Sequence, residues 1–389
     1  MIGLSGRVIA LINKNRYIAD YMVQYVMPQF REKLVLLDIL ARERRTELVG
    51  QVKVGVLELV EKIQALQANN QKKEIQCIGI HILRTEVSQR SYRLLLCAYD
   101  EQFLLDPTPV KLYMDATEFF QPLEEMHLFL TEKMVQTGGN VKETHVSLLV
   151  QQMVNPCRAY LTELSRLAAK SLEEMDGFSE IQKAENFFAI CGEYKDIFDE
   201  IYVTEKETRE EIQVKTTLED LENGKENLAC KVLEQYCFQG FVFAERNLSK
   251  SKIKKSKFTS SNLDRAHLVK TEFIDCCFER VTFEHAHIFD ARFSGCSFYD
   301  CSFNGAFGGI TPVEQNTEVV LGFTGVSFSN CTFSNVTFHY AYLAGTDFTN
   351  AKFEDVSFEE AILEQAVFSK GSIANLNLSI EQTENLILV

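Results

Sequence analysis

The sequence predicts a chain in two parts, a mainly α N-terminal domain with a small β-hairpin and then a long solenoid interrupted once by a loop. Three observations predict it. Large apolar residues stand at every fifth position from Phe238, including Phe273, Phe278, Phe283, Ile288, Phe293, Phe298 and Phe303, and the series resumes in phase from Phe323 to Leu378. A second, mostly small column precedes each by two residues, as in Ala266, Thr271, Cys276, Val281 and Ala286. Upstream, apolar residues fall mainly at helical spacings. A period of five fits neither a helix nor a strand, and a period held this long marks a stack of repeating units.

Residues 1–73 read as helical, with a seam at Val49, Val52, Val56, Leu59, Ile63 and Leu66 whose alternating spacing suits a bundle core or a short coiled coil. Gly50 and Gly55 weaken that helix. Ile78, Ile80 and Ile82, then Tyr92, Leu94 and Leu96, alternate as two strands of a hairpin near 75–99, joined by the polar turn Arg84–Ser91 and ended by Pro107 and Pro109. Helical pattern returns at about 115–137, 143–172 and 179–201, so the mainly helical domain is set at 1–198. Residues 199–235 are rich in charge and read as a linker or capping helix, whose Leu218, Leu221, Leu228, Val232 and Leu233 would pack on the first coil. The array is set at 236–378, and 379–389 would cap its open end or form a dimer contact. A homodimer would form through the N-terminal helices or this C-terminal segment.

Composition narrows the functions. A net charge of −15 opposes direct nucleic-acid binding, which needs Lys and Arg against phosphate. No apolar run approaches the roughly 20 residues of a membrane span. The 11 Cys include no CxxC pair, and several occupy the small column, where a thiol serves as a small hydrophobe. A reducing cytoplasm is the expected setting.

The stretch AYLAGTDFTNAKFEDVSFEEAILEQAVF resembles the pentapeptide-repeat family, in which a small residue precedes a central Leu or Phe by two positions. The resemblance covers residues 236–378 and implies a right-handed quadrilateral parallel β-helix, with four pentapeptides to a coil and the central and small residues inside. It also implies a bacterial setting, and in some members DNA mimicry, with binding to gyrase or topoisomerase IV and resistance to quinolones or peptide toxins. At residues 304–322 the column fails, with Gly308, Val313 and Glu318 at central positions and turn chemistry at Gly309 and Pro312. Phe303 and Phe323 are 20 residues apart, so either a deformed coil persists or, the favoured reading, a loop projects and returns in register.

No phosphate loop, GxSxG, HExxH or DxDxDG motif is present. His267 and His287 share a coil position and should stack on the surface, too few for a metal site. Cys191 with His145 or His127 would be the one nucleophile pair worth testing. No cofactor or metal is expected, and the chain reads as a non-enzymatic scaffold for an unidentified protein partner. The alternatives are a gyrase-interacting DNA mimic and an N-terminal enzyme targeted by the solenoid. The lysine patch, the large N-terminal domain and the array's first half, which is not net acidic, weigh against the mimic. Candidate partner-binding residues are Gly308, Gly309, Pro312, Glu314 and Glu318 in the loop, the acidic Glu354, Asp355, Glu359, Glu360 and Glu364, and the basic Lys250, Lys252, Lys254, Lys255 and Lys257.

Overall fold

The structure, a computed structural model, describes residues 15–204, 228–311 and 320–389. The chain divides into two units, one built on residues up to 206 and one on the rest of the repeat region.

In the N-terminal unit, α1 (Arg16–Tyr21) runs through a π-helical turn (Met22–Val26) into α2 (Met27–Glu43). The Met27 N–H donates to the Met22 carbonyl, five residues back, and Pro28 follows with no N–H to give. Next come α3 (Arg45–Ala68), β1 (Ile75–Ile82), the short α4 (Arg84–Ser88), β2 (Arg93–Tyr99) and β3 (Val110–Asp115). Three further helices, α5 (Gln121–Val135), α6 (Glu143–Val150) and α7 (Val154–Ala169), lead to β4 (Lys183–Glu193) and β5 (Phe198–Val203).

The five strands form one sheet in the order β3-β2-β1-β4-β5. Strands β1 and β4 are parallel and the other neighbours antiparallel. Helix α3 packs on β2 and β3, and α7 on β4 and β5. The expected seam lies inside this unit, where Val52, Val56, Leu59 and Ile63 are all buried. Gly55 is a close approach rather than a weakness: a Cβ there would stand 2.5 Å from Met114 Sδ on β3.

Two expectations are corrected. The hairpin is real, with Cys77 opposite Tyr99, but it belongs to a five-stranded sheet, so the unit is partly helical and partly a sheet rather than helical with a lone hairpin. Pro107 and Pro109 do not end it, because β3 starts just beyond them as an edge strand, where a missing N–H is tolerated. The helix expected at 179–201 is β4 and β5. Phe187, Ala189, Ile190 and Cys191 are all buried, and a strand covered on both faces loses the alternation that would have revealed it.

A buried ion pair closes the β2–β3 connection. Lys72 Nζ donates to Asp106 Oδ2 at 2.5 Å and to the Thr108 carbonyl at 3.1 Å. Asp106 also accepts from the Asp100 and Thr108 amides at 3.0 and 2.8 Å. Burial opposes ionisation of Asp106, but Lys72 and these two amides together hold its carboxyl below the usual range.

The repeat unit is a stack of short parallel strands and bridges in which residue i pairs with i+20, for example Glu272 with Arg292 and Cys277 with Ser297. Four pentapeptides therefore make a coil. Seven coils follow along one face through Leu233, Ile253, Phe273, Phe293, Phe328, Phe348 and Phe368. The array begins earlier than position 236. Leu228 and Leu233 are buried in its core, and Val232–Glu234 is the first strand of one sheet. The capping-helix reading of 205–227, with Leu218 and Leu221, falls outside the described residues, and 199–203 belongs to β5.

Central rings stack coil upon coil. Phe298 lies between Phe278 at 4.9 Å and Phe333 at 5.0 Å, both within 6° of parallel. The small column does more than leave room. Ser251, Thr271, Cys276, Cys296 and Cys331 donate to the carbonyls of Leu228, Leu248, Ile253, Phe273 and Phe293, each the central residue one coil below. Thiols there replace hydroxyls as weak donors inside the corner.

Across the interruption, and only there, the pairing offset is thirty-five: Arg292 pairs with Ser327, Phe298 with Phe333 and Phe307 with Tyr342. Fifteen residues are thus inserted. Gly308 stays in the stack as a central residue, and the chain leaves after it, so the looped-out part is narrower than 304–322. Phe323 keeps the phase of five but is not a stacking centre, since Phe328 takes that place on Phe293. Glycines make the neck. A Cβ on Gly308 would stand 2.7 Å from Ile288 Cγ1, and one on Gly309 2.6 Å from the Ala344 amide nitrogen. Thr311 Oγ1 donates to the Leu321 carbonyl at 2.7 Å, and Tyr342 Oη to the Ile310 carbonyl at 2.5 Å, tying the base shut.

At the far end, Ser379 caps the short helix Ile380–Glu384, and Ile387–Leu388 adds a parallel strand beside Val367–Phe368. Gln382 Nε2 donates to the Phe358 and Ala361 carbonyls at 2.8 Å each. The segment thus packs on the last coil, with Ile387 and Leu388 themselves exposed.

Three outcomes follow. Asp106→Asn leaves Lys72 buried without its nearest charge and should cost about 3 kcal/mol in chemical denaturation, Asp100 remaining 3.6 Å away. Because the Asp106 value is lowered on folding, its contribution is full above roughly pH 4 and fades as pH falls through the folded value, so the variant should show a shallower acid limb. Phe298→Ala should cost about 3–5 kcal/mol in the array's unfolding transition. Gly309→Ala should lower that transition by about 1–3 kcal/mol, because backbone rather than a pliable side chain meets the new methyl group.

Candidate partner-binding surface

The residue two after each centre turns the chain. From Cys230 to Gly305 and from Gly325 to Gln365 these corner residues hold φ between +45° and +61° where they are not glycine, as at Lys250, Lys255, Asp355 and Glu360. A left-handed corner aims its side chain outward, so four of the twelve predicted charged residues owe their position to the turn.

The two charge clusters differ. On the early coils Lys255 Nζ lies 3.0 Å from Glu234, Lys257 Nζ 3.0 Å from Glu279 and Lys252 Nζ 3.9 Å from Glu272. Hydrogen bonding to Glu279 raises the Lys257 value, and Glu279 is lowered in turn by Lys257 and Arg280. Lys254 lies outward on the strand with Lys252, and Lys250 at the corner before it. The expected basic patch is therefore a ladder of cross-coil ion pairs. The late coils have no such matching. Glu354, Asp355, Glu359, Glu360 and Glu364 are all exposed, and none has an ion-pair partner among the described residues. Glu354 only accepts from Ser334 Oγ at 3.3 Å. Between positions 321 and 346 the chain has no Asp, Glu, Lys or Arg, while from Asp347 to Glu384 it has eight carboxylates against Lys352 and Lys370. One end of the array is acidic and bordered by a neutral band.

Gly308 and Gly309 form the neck of the insertion and are buried, so they position the loop rather than meet a partner themselves. Pro312, Glu314 and Glu318 lie outside the described residues.

A third surface escaped the sequence reading except for its two histidines. His267 and His287 stack at 5.0 Å and 17°, and His287 stacks on Phe307 at 5.6 Å. Phe307 pairs with Tyr342, and Tyr342 with Ile362, extending the column. Burial and then the neighbouring His267 lower the His287 value, so the ladder is neutral near pH 7 at His287. Comparing outward positions twenty residues apart, then thirty-five across the insertion, would have found the whole column.

The proposed nucleophile pair is not assembled. Cys191 is buried on β4, its thiol pushed up to about 11 by burial. His145 Nδ1 instead accepts from the Lys142 amide at the start of α6, and His127 is buried on α5. All eleven thiols are free. Among the described residues no group of His, Cys, Asp and Glu has metal-binding geometry, and no helix is long and apolar enough to cross a membrane.

The family model for pentapeptide repeats matches eight copies, over residues 247–284, 276–307, 323–355 and 346–379. No curated protein matches the chain. Among solved structures, trypsin-treated QnrB1, a plasmid-mediated fluoroquinolone resistance protein, is 14% identical, with 42% of this chain and 86% of that one covered and a TM-score of 0.27. HetL from Nostoc, involved in heterocyst differentiation regulation, is 14% identical over 44% of this chain and 89% of its own, with a TM-score of 0.22. Rfr23 from Cyanothece is 12% identical over 40% and 99%, with a TM-score of 0.22. No function is transferred from likenesses this distant. The model match coincides with the stacked coils, and the C-terminal region of this chain is a pentapeptide-repeat array.

Proposed function

We propose that the chain is a non-enzymatic, cytoplasmic protein-binding scaffold whose acidic array end docks a basic protein surface. The supporting observation is the contrast between the two charge clusters: the lysines are partnered across coils, whereas the five late carboxylates are exposed and unpaired. Exposed charge of one sign, beside a neutral band, favours encounter with an oppositely charged partner. The right-handed quadrilateral coil of the family belongs to this reading, since it would set the late carboxylates on successive faces of a rigid support. The N-terminal unit would carry a separate function. Its Cys191 thiol, held protonated by burial, gives the enzymatic alternative little support.

A second reading has one observation in its favour. An acidic, unpaired surface is what a mimic of nucleic acid offers to a DNA-handling enzyme such as gyrase or topoisomerase IV. Supercoiling by gyrase in excess chain, with and without a fluoroquinolone, separates the two: no change in either removes the mimic.

For the scaffold reading, a partner isolated on the full-length chain should be released by salt. Its affinity should fall at least about fivefold for the variant E354Q/D355N/E359Q/E360Q/E364Q, from five rim charges worth roughly 0.2–1 kcal/mol each. The variant K252Q/K255Q/K257Q should bind within about twofold of the parent. Equal binding by the acidic variant would refute the reading.

A further inference from the structure

One outward column of the array carries no charge. His287 pairs with Phe307, Phe307 with Tyr342 and Tyr342 with Ile362, in parallel register on successive coils. Phe307 and Ile362 are 42% and 46% exposed, and Tyr340, the corner residue two before Tyr342, is 70% exposed. Tyr342 is half-buried between them, its ring against Gly309 and its Oη on the Ile310 carbonyl. An apolar patch rimmed by polar residues marks an interaction site, whereas scattered exposed hydrophobes do not.

Three of the five late carboxylates border this patch. Glu360 and Glu364 lie two residues to either side of Ile362, Glu359 precedes Glu360, and all three are exposed. Tyr340 sits directly below this rim, its N–H donating to the Glu359 carbonyl at 3.0 Å. Lower on that side the carboxylates are engaged, Asp264 accepting from the Glu284 amide and Glu284 from Ser302 Oγ. The column continues downward into His287 and His267. The patch is therefore apolar along the array and acidic at its upper end.

The backbone narrows the choice of occupant. The N–H groups of Phe307, Tyr342 and Ile362 donate to the Ala286, Ala306 and Ala341 carbonyls, each at 2.9 Å. These bonds run from coil to coil, so the face offers no strand edge. An extended peptide laid on it would keep its own backbone groups unsatisfied. A helix satisfies its own backbone and can be held by side chains alone. Its pitch also fits, since one turn rises about 5.4 Å and coils are spaced by about 4.8 Å. A helix lying along the array sets one apolar residue per turn on each successive coil.

We propose that this face docks an amphipathic α-helix of a partner protein. The helix places apolar residues at i, i+4 and i+7 on Phe307, Tyr342 and Ile362, and Lys or Arg at the end that meets Glu359, Glu360 and Glu364. Its basic end rests on the acidic docking reading above, while its apolar stripe stands on the ladder alone.

The test uses the full chain and three fluorescent, helix-stapled peptides of about 14 residues, or four turns. The first has leucines at i, i+4, i+7 and i+11 and lysines in its last turn. The second keeps the lysines but scatters the leucines round the helix. The third keeps the leucines and ends in glutamates. Anisotropy titration should show saturable binding of the first, at least about tenfold tighter than of either control. The variant F307S/I362S should weaken it about tenfold, and E359Q/E360Q/E364Q at least about threefold. Tyr340→Asn, which suits the left-handed corner, should also weaken it while leaving the thermal transition of the array in place. Equal binding of the first two peptides, or parental binding by both F307S/I362S and Tyr340→Asn, would overturn the helix and leave the acidic docking reading standing. Parental binding by E359Q/E360Q/E364Q alone would overturn the basic end and that reading with it. No saturable binding of the first peptide would overturn the proposal. Self-association of the chain that F307S/I362S abolishes in sedimentation would give the face to a second copy, with the same result.

Discussion

Every fifth residue from Cys230 to Gly305 and from Gly325 to Gln365 is held in the left-handed region, and the rest of the array depends on this corner. A single such turn in an L-residue is unfavourable by roughly 1–2 kcal/mol. It persists here because it delivers one large side chain per face to the axis, where a buried Phe contributes roughly 1.5–3 kcal/mol. The ring columns, such as Phe278 on Phe298 on Phe333, recover the strain of the turns. The same corner explains why the period is five and why the inward column must be small. It also explains why Ser, Thr and Cys recur there, since each can donate to the carbonyl of the centre one coil below.

The corner also decides how charge is displayed. Stacking at an offset of twenty lines up side chains from consecutive coils, so opposite signs neutralise each other along a column and like signs accumulate. Lys255 and Glu234 show the first outcome, the late carboxylates the second. Sequence counts of charge cannot separate these cases until the offset is known. In the N-terminal unit the comparable organising element is the sheet, closed by helices on one side and by loop side chains on the other.

Legibility followed the strength of the periodic signal. A column repeated across seven coils made the array readable almost unit by unit, and the His267–His287 stack followed from the offset alone. Its first centres, Leu228 and Leu233, were missed because a charged stretch precedes them and only two units belong to that end. The hairpin was readable because Ile78, Ile80 and Ile82 alternate with smaller or polar neighbours. Strands β4 and β5 were not, because burial on both sides of β4 removes alternation, and β3 was hidden behind two prolines. The contacts of buried His81 left no local signal. They come from Tyr99 on β2 and Tyr194 beyond β4, and no spacing in one segment encodes that convergence.

The inserted segment spans a whole number of repeat units. An insertion of that size leaves the five-residue phase unbroken, so the stack closes above it as though nothing had intervened. The glycine neck confines the disturbance to one corner of one coil. The array can thus vary what it displays at that corner without renegotiating its core, separating the evolution of recognition from the evolution of stability.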